Sequence, residues 1–533
     1  MSPYILLAFV IGYFILLLVV AWYTSRNANN DSFFNGNKNS NWKLVAFGMI
    51  GTSLSGVTFV SVPGSVGNMG TLGGVPNGLG YFQVVIGYLI GYIVVAFVLL
   101  PLYYKMNLSS IYGYLKERFG VWAYKTGASF FILSRTIGAT ARLYLVISIL
   151  HVFILAQLNI PFWISTVVVL LMILLYTFKG GVKTIVYTDT LQTALMIIGL
   201  IVCVAYILNH LDISVVEAVN NMESKSLTNI FNLDFNSKGF FMKQILGGAF
   251  ITIAMTGLDQ EMMQKNISVR RLGDSQKNMM TFSVILVLVN LLFLLLGGLL
   301  YLYAYNSGAS FVGNAGPAGD AMGFLHDGTD ITGDRLFPSV ALGLINSMPP
   351  VISIMFIIAL ISALFPSADG ALTALTSSIC IDILGFDQRK TVEHISDEHA
   401  AILNMEEKAK ERTRLTVHIS MTIVFFLCIL VFQALNSRSI IDKILELAGY
   451  TYGPLLGLFA FGILTKRGLP NTVVIAVIAI VSPIVCYFAQ LAAPRFLGGY
   501  SIGIEILLIN GLLTFLGLLM ISKKSLYKNV HAV

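Results

Sequence analysis

Residues 47–67 read FGMIGTSLSGVTFVSVPGSVG. About 20 residues of helix cross the roughly 30 Å of hydrocarbon in a bilayer, and this run is long and apolar enough to do so. Yet Gly51, Ser53, Ser55, Gly56 and Thr58 stand near its middle. Glycine costs about 1 kcal/mol in a helix interior, and short hydroxyl side chains compete for backbone hydrogen bonds, so a continuous helix is weakened there. Backbone that unwinds at membrane depth has to be buried in protein or line a cavity. Its released carbonyls are then free for a hard cation, which takes oxygen ligands. The same small residues also permit close helix packing, and glycine content alone does not separate the two readings.

The rest of the chain sets the context. It has 533 residues, 56% hydrophobic and 11% charged, with a mean hydropathy of +0.81. A soluble protein carries about 25% charged residues, so the composition is that of an all-α polytopic membrane protein with the lipid bilayer as its solvent. A window of about 20 residues predicts thirteen transmembrane helices: 3–24, 44–64, 80–104, 126–155, 161–178, 184–209, 240–262, 279–306, 347–384, 415–435, 440–465, 470–492 and 501–521. The first run is of full spanning length without a charged leader segment, and reads as a retained helix rather than a cleaved signal. With the N-terminus outside, 24 of the 33 Lys and Arg fall on inner segments and seven on outer ones, while Arg135 and Arg142 lie inside a span. This predicts an N-out, C-in protein of the plasma (inner) membrane. The formal charge of +7 then follows from topology, and no nucleic-acid partner is expected.

Little points to an enzyme or a resident metal. Cys203, Cys380, Cys428 and Cys486 fall in apolar runs without metal or disulfide spacing, as small core residues do. The histidines are scattered, with no nucleophile, base and acid at one depth. The inner stretch 385–414 mixes both charge signs at helical spacing and reads as a solvated amphipathic helix; its two histidines in HISDEH stand five apart, on different faces. No soluble domain is evident. A membrane sensor without an output domain is a further, less economical reading.

Two further spans carry polar residues at depth. The seventh, QILGGAFITIAMTGLDQE (244–261), is interrupted by Gly247, Gly248, Thr252, Thr256 and Gly257. It lies five spans after the second, the spacing of a 5+5 inverted repeat, and secondary transporters place their sites on such interrupted helices. The ninth contains FPSADGALTALTSS (365–378). Pro366 lacks an N–H and clashes with the preceding turn, freeing the carbonyl of Ser362 and disturbing that of Ala363. Ser367, Asp369, Thr373 and Thr376 follow down one face. An Asp at mid-membrane costs about 2.5–3.5 kcal/mol; a packing kink explains the hydroxyls but not that carboxylate, so a cation-binding face is expected. Asp189 in VYTDTLQ is either an interfacial residue or a second cation ligand. Arg135 and Arg142, seven apart and on one helix face, need a partner: structural pairing with Asp369 or Asp189, or a substrate carboxylate.

GTSLSGVTF (51–59), NLSSIYGYLKERFG (107–120), GGVKTIVYTDTLQ (180–192), GLDQEMMQKNISVRRLGDSQK (257–277), SADGALTALTSSICIDIL (367–384) and GPLLGLFAFGILTKRG (453–468) resemble, in order and over nearly the whole chain, the sodium:solute symporter family of sodium–sugar, proline and sialic-acid cotransporters. The resemblance implies a LeuT-type fold, with inverted repeats at 44–209 and 240–465, an extra N-terminal helix at 3–24 and C-terminal helices at 470–521. It also implies Na⁺-coupled import of a small polar organic solute (a sugar, polyol or sugar acid such as sialic acid) by alternating access, with one or two Na⁺ per cycle and a monomeric carrier. The family's main Na⁺ site falls on the Gly51 and Leu54 carbonyls, the Ala363 carbonyl, Pro366 and the Ser367 hydroxyl. Many members have two adjacent hydroxyls where this chain has Pro366-Ser367, so Pro366 can offer only a carbonyl. A second cation site, where members have one, falls on Asp189 and Asp369. Proton coupling through Asp369 is the alternative. Substrate-facing positions fall on Ser55, Thr58, Thr252 and Thr256, with Gln83, then Asn77, as hydrogen-bonding partners. Leu286 stands where sugar carriers place a lysine, which counts against a galactose-type contact set.

Overall fold

In hydrocarbon, backbone N–H and C=O groups have to pair within their own segment, so the apolar runs form helices. The computed structural model describes residues 3–26, 33–34, 38–67, 77–108, 110–312, 323–345, 348–386, 397–435 and 440–523. In chain order the elements are α1 (Pro3–Thr24), α2 (Trp42–Ser53), α3 (Gly56–Ser65), α4 (Phe82–Lys105), α5 (Gly113–Phe119), α6 (Val121–Leu158), α7 (Phe162–Thr177), α8 (Thr184–Leu211) and α9 (Val215–Ser224). There follow α10 (Phe241–Gly257), α11 (Gln260–Ile267), α12 (Leu272–Asn306), α13 (Leu336–Ala341), α14 (Pro350–Ile383), α15 (Asp397–Leu435), α16 (Ile440–Leu464), α17 (Val474–Phe496) and α18 (Ile506–Ile521).

Among the described residues, nine helices are long and apolar enough to cross a membrane. Two bent pairs bring the number to eleven: α2 with α3 at 56° and α10 with α11 at 63°. These are the second and seventh predicted spans, so both expected interruptions are real breaks. The remaining two predicted spans fall on the shorter apolar helices α7 and α18. α7 passes into α8 at Gly181, whose φ of 52° and ψ of −150° lie outside helical space. Phe33 packs against that glycine and leaves no room for a side chain there.

Burial separates the centre from the rim. The most apolar stretches of α1 and α17 are only 22% buried, whereas that of α14 is 78% buried. α14 packs against α7–α8, α6, α2 and α15, so its polar residues face protein rather than lipid. On the predicted outer side, Ser214 and Glu217 close a capping box at the start of α9. A small antiparallel sheet of β1 (Ser310–Val312), β2 (Gly323–His326) and β3 (Thr329–Asp330) lies between α12 and α13. Part of the expected inner amphipathic helix, 387–396, lies outside the described residues; from Asp397 it runs without a stop into α15.

Candidate functional site

The first break is short. α2 ends at Ser53; Leu54 (φ −87°, ψ 73°) leaves helical space, Ser55 (φ −68°, ψ 172°) is extended, and α3 starts at Gly56. The Leu54 N–H still donates to the Ile50 carbonyl at 2.7 Å. Among the described residues, no donor reaches the carbonyls of Gly51 or Leu54. A methyl on Gly51 would run into the Thr193 hydroxyl of α8 and stand 3.4 Å from Pro366 Cγ, so this glycine lets α2 approach α14 at its proline.

The second break is bent more sharply and yet is satisfied. A wide π-type turn at Ile253–Gly257 precedes it, and Asp259 caps α11 by accepting from the N–H groups of Glu261 and Met262. The Tyr103 hydroxyl donates to the Gly257 carbonyl (2.8 Å) and the Tyr112 hydroxyl to the Leu258 carbonyl (3.0 Å). Two similar breaks thus differ in one respect: only the first leaves carbonyls available.

On α14, Ala363, Pro366 and Ser367 are all buried. The Ser362 hydroxyl donates to Tyr13 of α1 (2.9 Å), and the Ser367 hydroxyl donates to the Leu364 carbonyl (2.9 Å), keeping its own lone pairs open. The expected single face from Ser367 to Thr376 divides. Asp369 accepts from the Tyr176 hydroxyl of α7 (2.8 Å), and Thr376 bonds His418 of α15 (2.8 Å), which also meets Thr177 (3.0 Å). Thr373, between them, is buried with no partner. The histidines therefore include one, His418, that ties three helices at depth.

The buried charges pair differently from expectation. Asp189 is fully buried, which removes its interfacial reading. Its Oδ2 accepts from Lys265 Nζ (2.7 Å) and from the Thr52 hydroxyl (3.2 Å), while its Oδ1 has no partner. Arg135 pairs with neither Asp369 nor Asp189. Its guanidinium forms a close ion pair with Glu261 and lies 3.8 Å from Asp259, which also accepts from Tyr452 (2.8 Å). Lys265 reaches Glu261 as well, at 3.6 Å. The bend at Leu258–Asp259 turns α11 inward and carries all three charges of GLDQEMMQK into the protein. Spacing did hold one signal, since Glu261 and Lys265 stand at i, i+4, but Lys265 had been counted as a charge of the inner loop. With Asp369 included, four buried carboxylates share the two cations that pair with them, and Asp369 makes no ion pair among the described residues.

Next to the first break lies a cavity with roughly 800 Å³ between its walls, its open mouth included. Ser55, Thr58, Arg135, Arg142, Thr252 and Thr256 all line it. Leu286 contributes an apolar wall, and Tyr81, Tyr88 and Tyr92 line it too. Gln83 and Asn77 are absent from the wall. Gln83 is occupied elsewhere: its Nε2 donates to the Gly80 carbonyl and its Oε1 accepts from the Asn232 N–H in the loop between α9 and α10. Asn77 is exposed ahead of α4. Sequence reasoning missed the tyrosines because an aromatic in a spanning helix reads equally well as lipid-facing or core.

Comparison with known proteins accords with this geometry. The chain is 23% identical over 482 residues to the sodium/sialic acid symporter NanT of Aliivibrio fischeri, covering 88% of this chain and 84% of that protein. It is 22% identical over 481 residues to the sodium/sialic acid symporter SiaT of Proteus mirabilis, covering 87% and 85%. A solved structure of a Na⁺-coupled sialic acid symporter in a substrate-bound outward-open state superposes with a TM-score of 0.74 at 21% identity, over 98% of this chain and 99% of that one. The model of the sodium:solute symporter family matches residues 33–479. The protein therefore belongs to the sodium:solute symporter family and is a Na⁺-coupled symporter.

Proposed function

We propose that this protein imports a small polar organic solute (a sugar, polyol or sugar acid, the last being what its sialic-acid relatives carry) together with Na⁺ across the plasma membrane. In this reading it is a monomeric carrier without enzymatic activity. Thirteen spans run N-out to C-in, and 44–209 and 240–465 form two inverted repeats. The observation that carries the reading is the contrast between the two breaks: the Gly51 and Leu54 carbonyls have no donor, whereas Gly257 and Leu258 are capped by tyrosines. Na⁺ is held by those free carbonyls together with the Ala363 and Pro366 carbonyls and the Ser367 hydroxyl. A second ion has the unpartnered Asp189 Oδ1 and Asp369 at hand.

Coupling follows from where the break lies. A cation shared between the break and α14 ties α2 and α3 to the central helix, and Ser55 and Thr58 belong to the same break and face the cavity. Ordering the break for the ion therefore orders half of the solute's hydrogen-bonding wall, so each ligand lowers the cost of binding the other.

The test is thermal stability of the purified protein titrated with NaCl against choline chloride at fixed ionic strength, beside uptake in proteoliposomes. Ligand bound only by the folded state raises apparent stability by mass action. Expected is a Na⁺-specific rise in the wild type that is reduced in Ser367→Ala, and uptake that collapses when choline replaces external Na⁺. Uptake indifferent to that replacement would sink the reading. Uptake that follows a pH gradient instead would favour proton coupling through Asp369, which makes no ion pair among the described residues.

A further inference from the structure

α6 presents two arginines to the cavity, two turns apart, and their circumstances differ. Arg135 is 3% exposed and its guanidinium is neutralised by Glu261 and Asp259. Arg142 is half-buried, lines the cavity, and forms no ion pair or hydrogen bond with any described residue. It shares the cavity wall with Tyr81 and Tyr88, whose hydroxyls meet each other at 3.0 Å. Other buried cations of the core have a carboxylate in reach: Lys265 has Asp189 and Glu261, and Lys243 has Glu505. An arginine inside a membrane protein with no acid in ion-pair contact is costly, and such a residue is a candidate for contact with a charged ligand.

We infer that Arg142, and not Arg135, is the residue that selects an anionic solute, by holding its carboxylate at the Tyr81–Tyr88 end of the cavity. The inference rests on the symporter reading above and narrows it to carboxylates. A planar guanidinium grips a carboxylate through two parallel N–H bonds, and the two tyrosine hydroxyls add donors beside it. Asn290 gives the other end of the solute a role. It lines the same cavity, its Nδ2 is committed to the Leu286 carbonyl (2.8 Å), and its buried Oδ1 has no donor. The solute then carries a carboxylate and, further along, a hydroxyl or amide N–H that Asn290 accepts. Arg135 is held through its two terminal nitrogens by Asp259 and Glu261, which leaves only its buried Nε without a partner.

The experiment is thermal stability of the purified protein in saturating NaCl, titrated with matched acid and neutral probes: galacturonate against galactose, gluconate against glucose, and N-acetylneuraminate against N-acetylmannosamine. Expected is stabilisation by the acid member of at least one pair and not by its neutral partner. In Arg142→Gln that response should weaken by roughly 30-fold or more in apparent Kd, with partial retention in Arg142→Lys. The response to Na⁺ over choline should persist in both variants, showing that they fold and that the ion site is intact. Stabilisation by the neutral partner, by neither member of any pair, or an acid response unchanged in Arg142→Gln would overturn the inference. Loss of the Na⁺ response in the wild type would overturn the symporter reading itself, so the two failures are distinguishable.

Discussion

An ammonium group survives in a membrane helix only with carboxylates in reach, and Lys265 has two, with the Thr52 hydroxyl as a third contact at 2.6 Å. Through Asp189 it ties α11 to α8, and through Thr52 to α2, so one side chain joins the second broken helix to the first. Removing one member of a buried pair leaves the other uncompensated, which costs about 3–5 kcal/mol, whereas removing both is often close to neutral. Lys265→Met should therefore lower the melting temperature markedly, and Lys265→Met combined with Asp189→Asn should regain most of the loss. A double variant as unstable as the single one would mean that Lys265 acts through Glu261 rather than Asp189. The residue types of this cluster were legible in the sequence; their partners were not. Arg135 was expected on Asp369, Asp189 or a substrate carboxylate; Asp259 and Glu261 stand at the very end of the predicted seventh span, and the glycines that mark its break do not say which way the chain turns after it.

Among the elements, the two broken pairs show how far local patterning reaches. Both breaks were readable from clustered glycines and hydroxyls, because these weaken a helix wherever they occur. Which break stays open was not readable, since the groups that close the second one, Tyr103 and Tyr112, lie 154 and 146 residues from the carbonyls they cap. A buried carbonyl that loses its donor costs about 1–3 kcal/mol. Tyr103→Phe and Tyr112→Phe should each destabilise by about that amount, read as a lower melting temperature, with the Na⁺ response of the wild type unchanged. Gly51→Ala should do the reverse: its methyl meets Thr193 and crowds Pro366, so the Na⁺-dependent rise in stability should shrink even where the variant folds. Equal loss of the Na⁺ response from the tyrosine variants would show that the two breaks act as one unit. The division of α14's polar face, with Asp369 turned to Tyr176 and Thr376 to His418, belongs to the same class of non-local fact.

At the scale of the molecule, hydropathy acts on the chain as a whole, and it transferred best. The apolar runs became helices near the predicted limits, and the least buried, α1, α15 and α17, lie at the rim while α14 is the most buried. Orientation rests on the cation count, in which Lys265 was a loop charge although it is buried; moving it leaves the bias of the inner segments intact. The direction can be read directly by labelling. Glu223, at the end of α9, and Lys466, just beyond α16, are both exposed and fall on opposite predicted sides. Cys203, Cys380 and Cys486 are buried, so only the half-buried Cys428 needs replacement by serine as background. With the N-terminus outside, an impermeant maleimide applied to intact cells should label Glu223→Cys and spare Lys466→Cys, and permeabilisation should expose both. The opposite pattern would place α9 in the cytoplasm, invert the N-out, C-in reading, and put the exposed cations counted as inner on the outside.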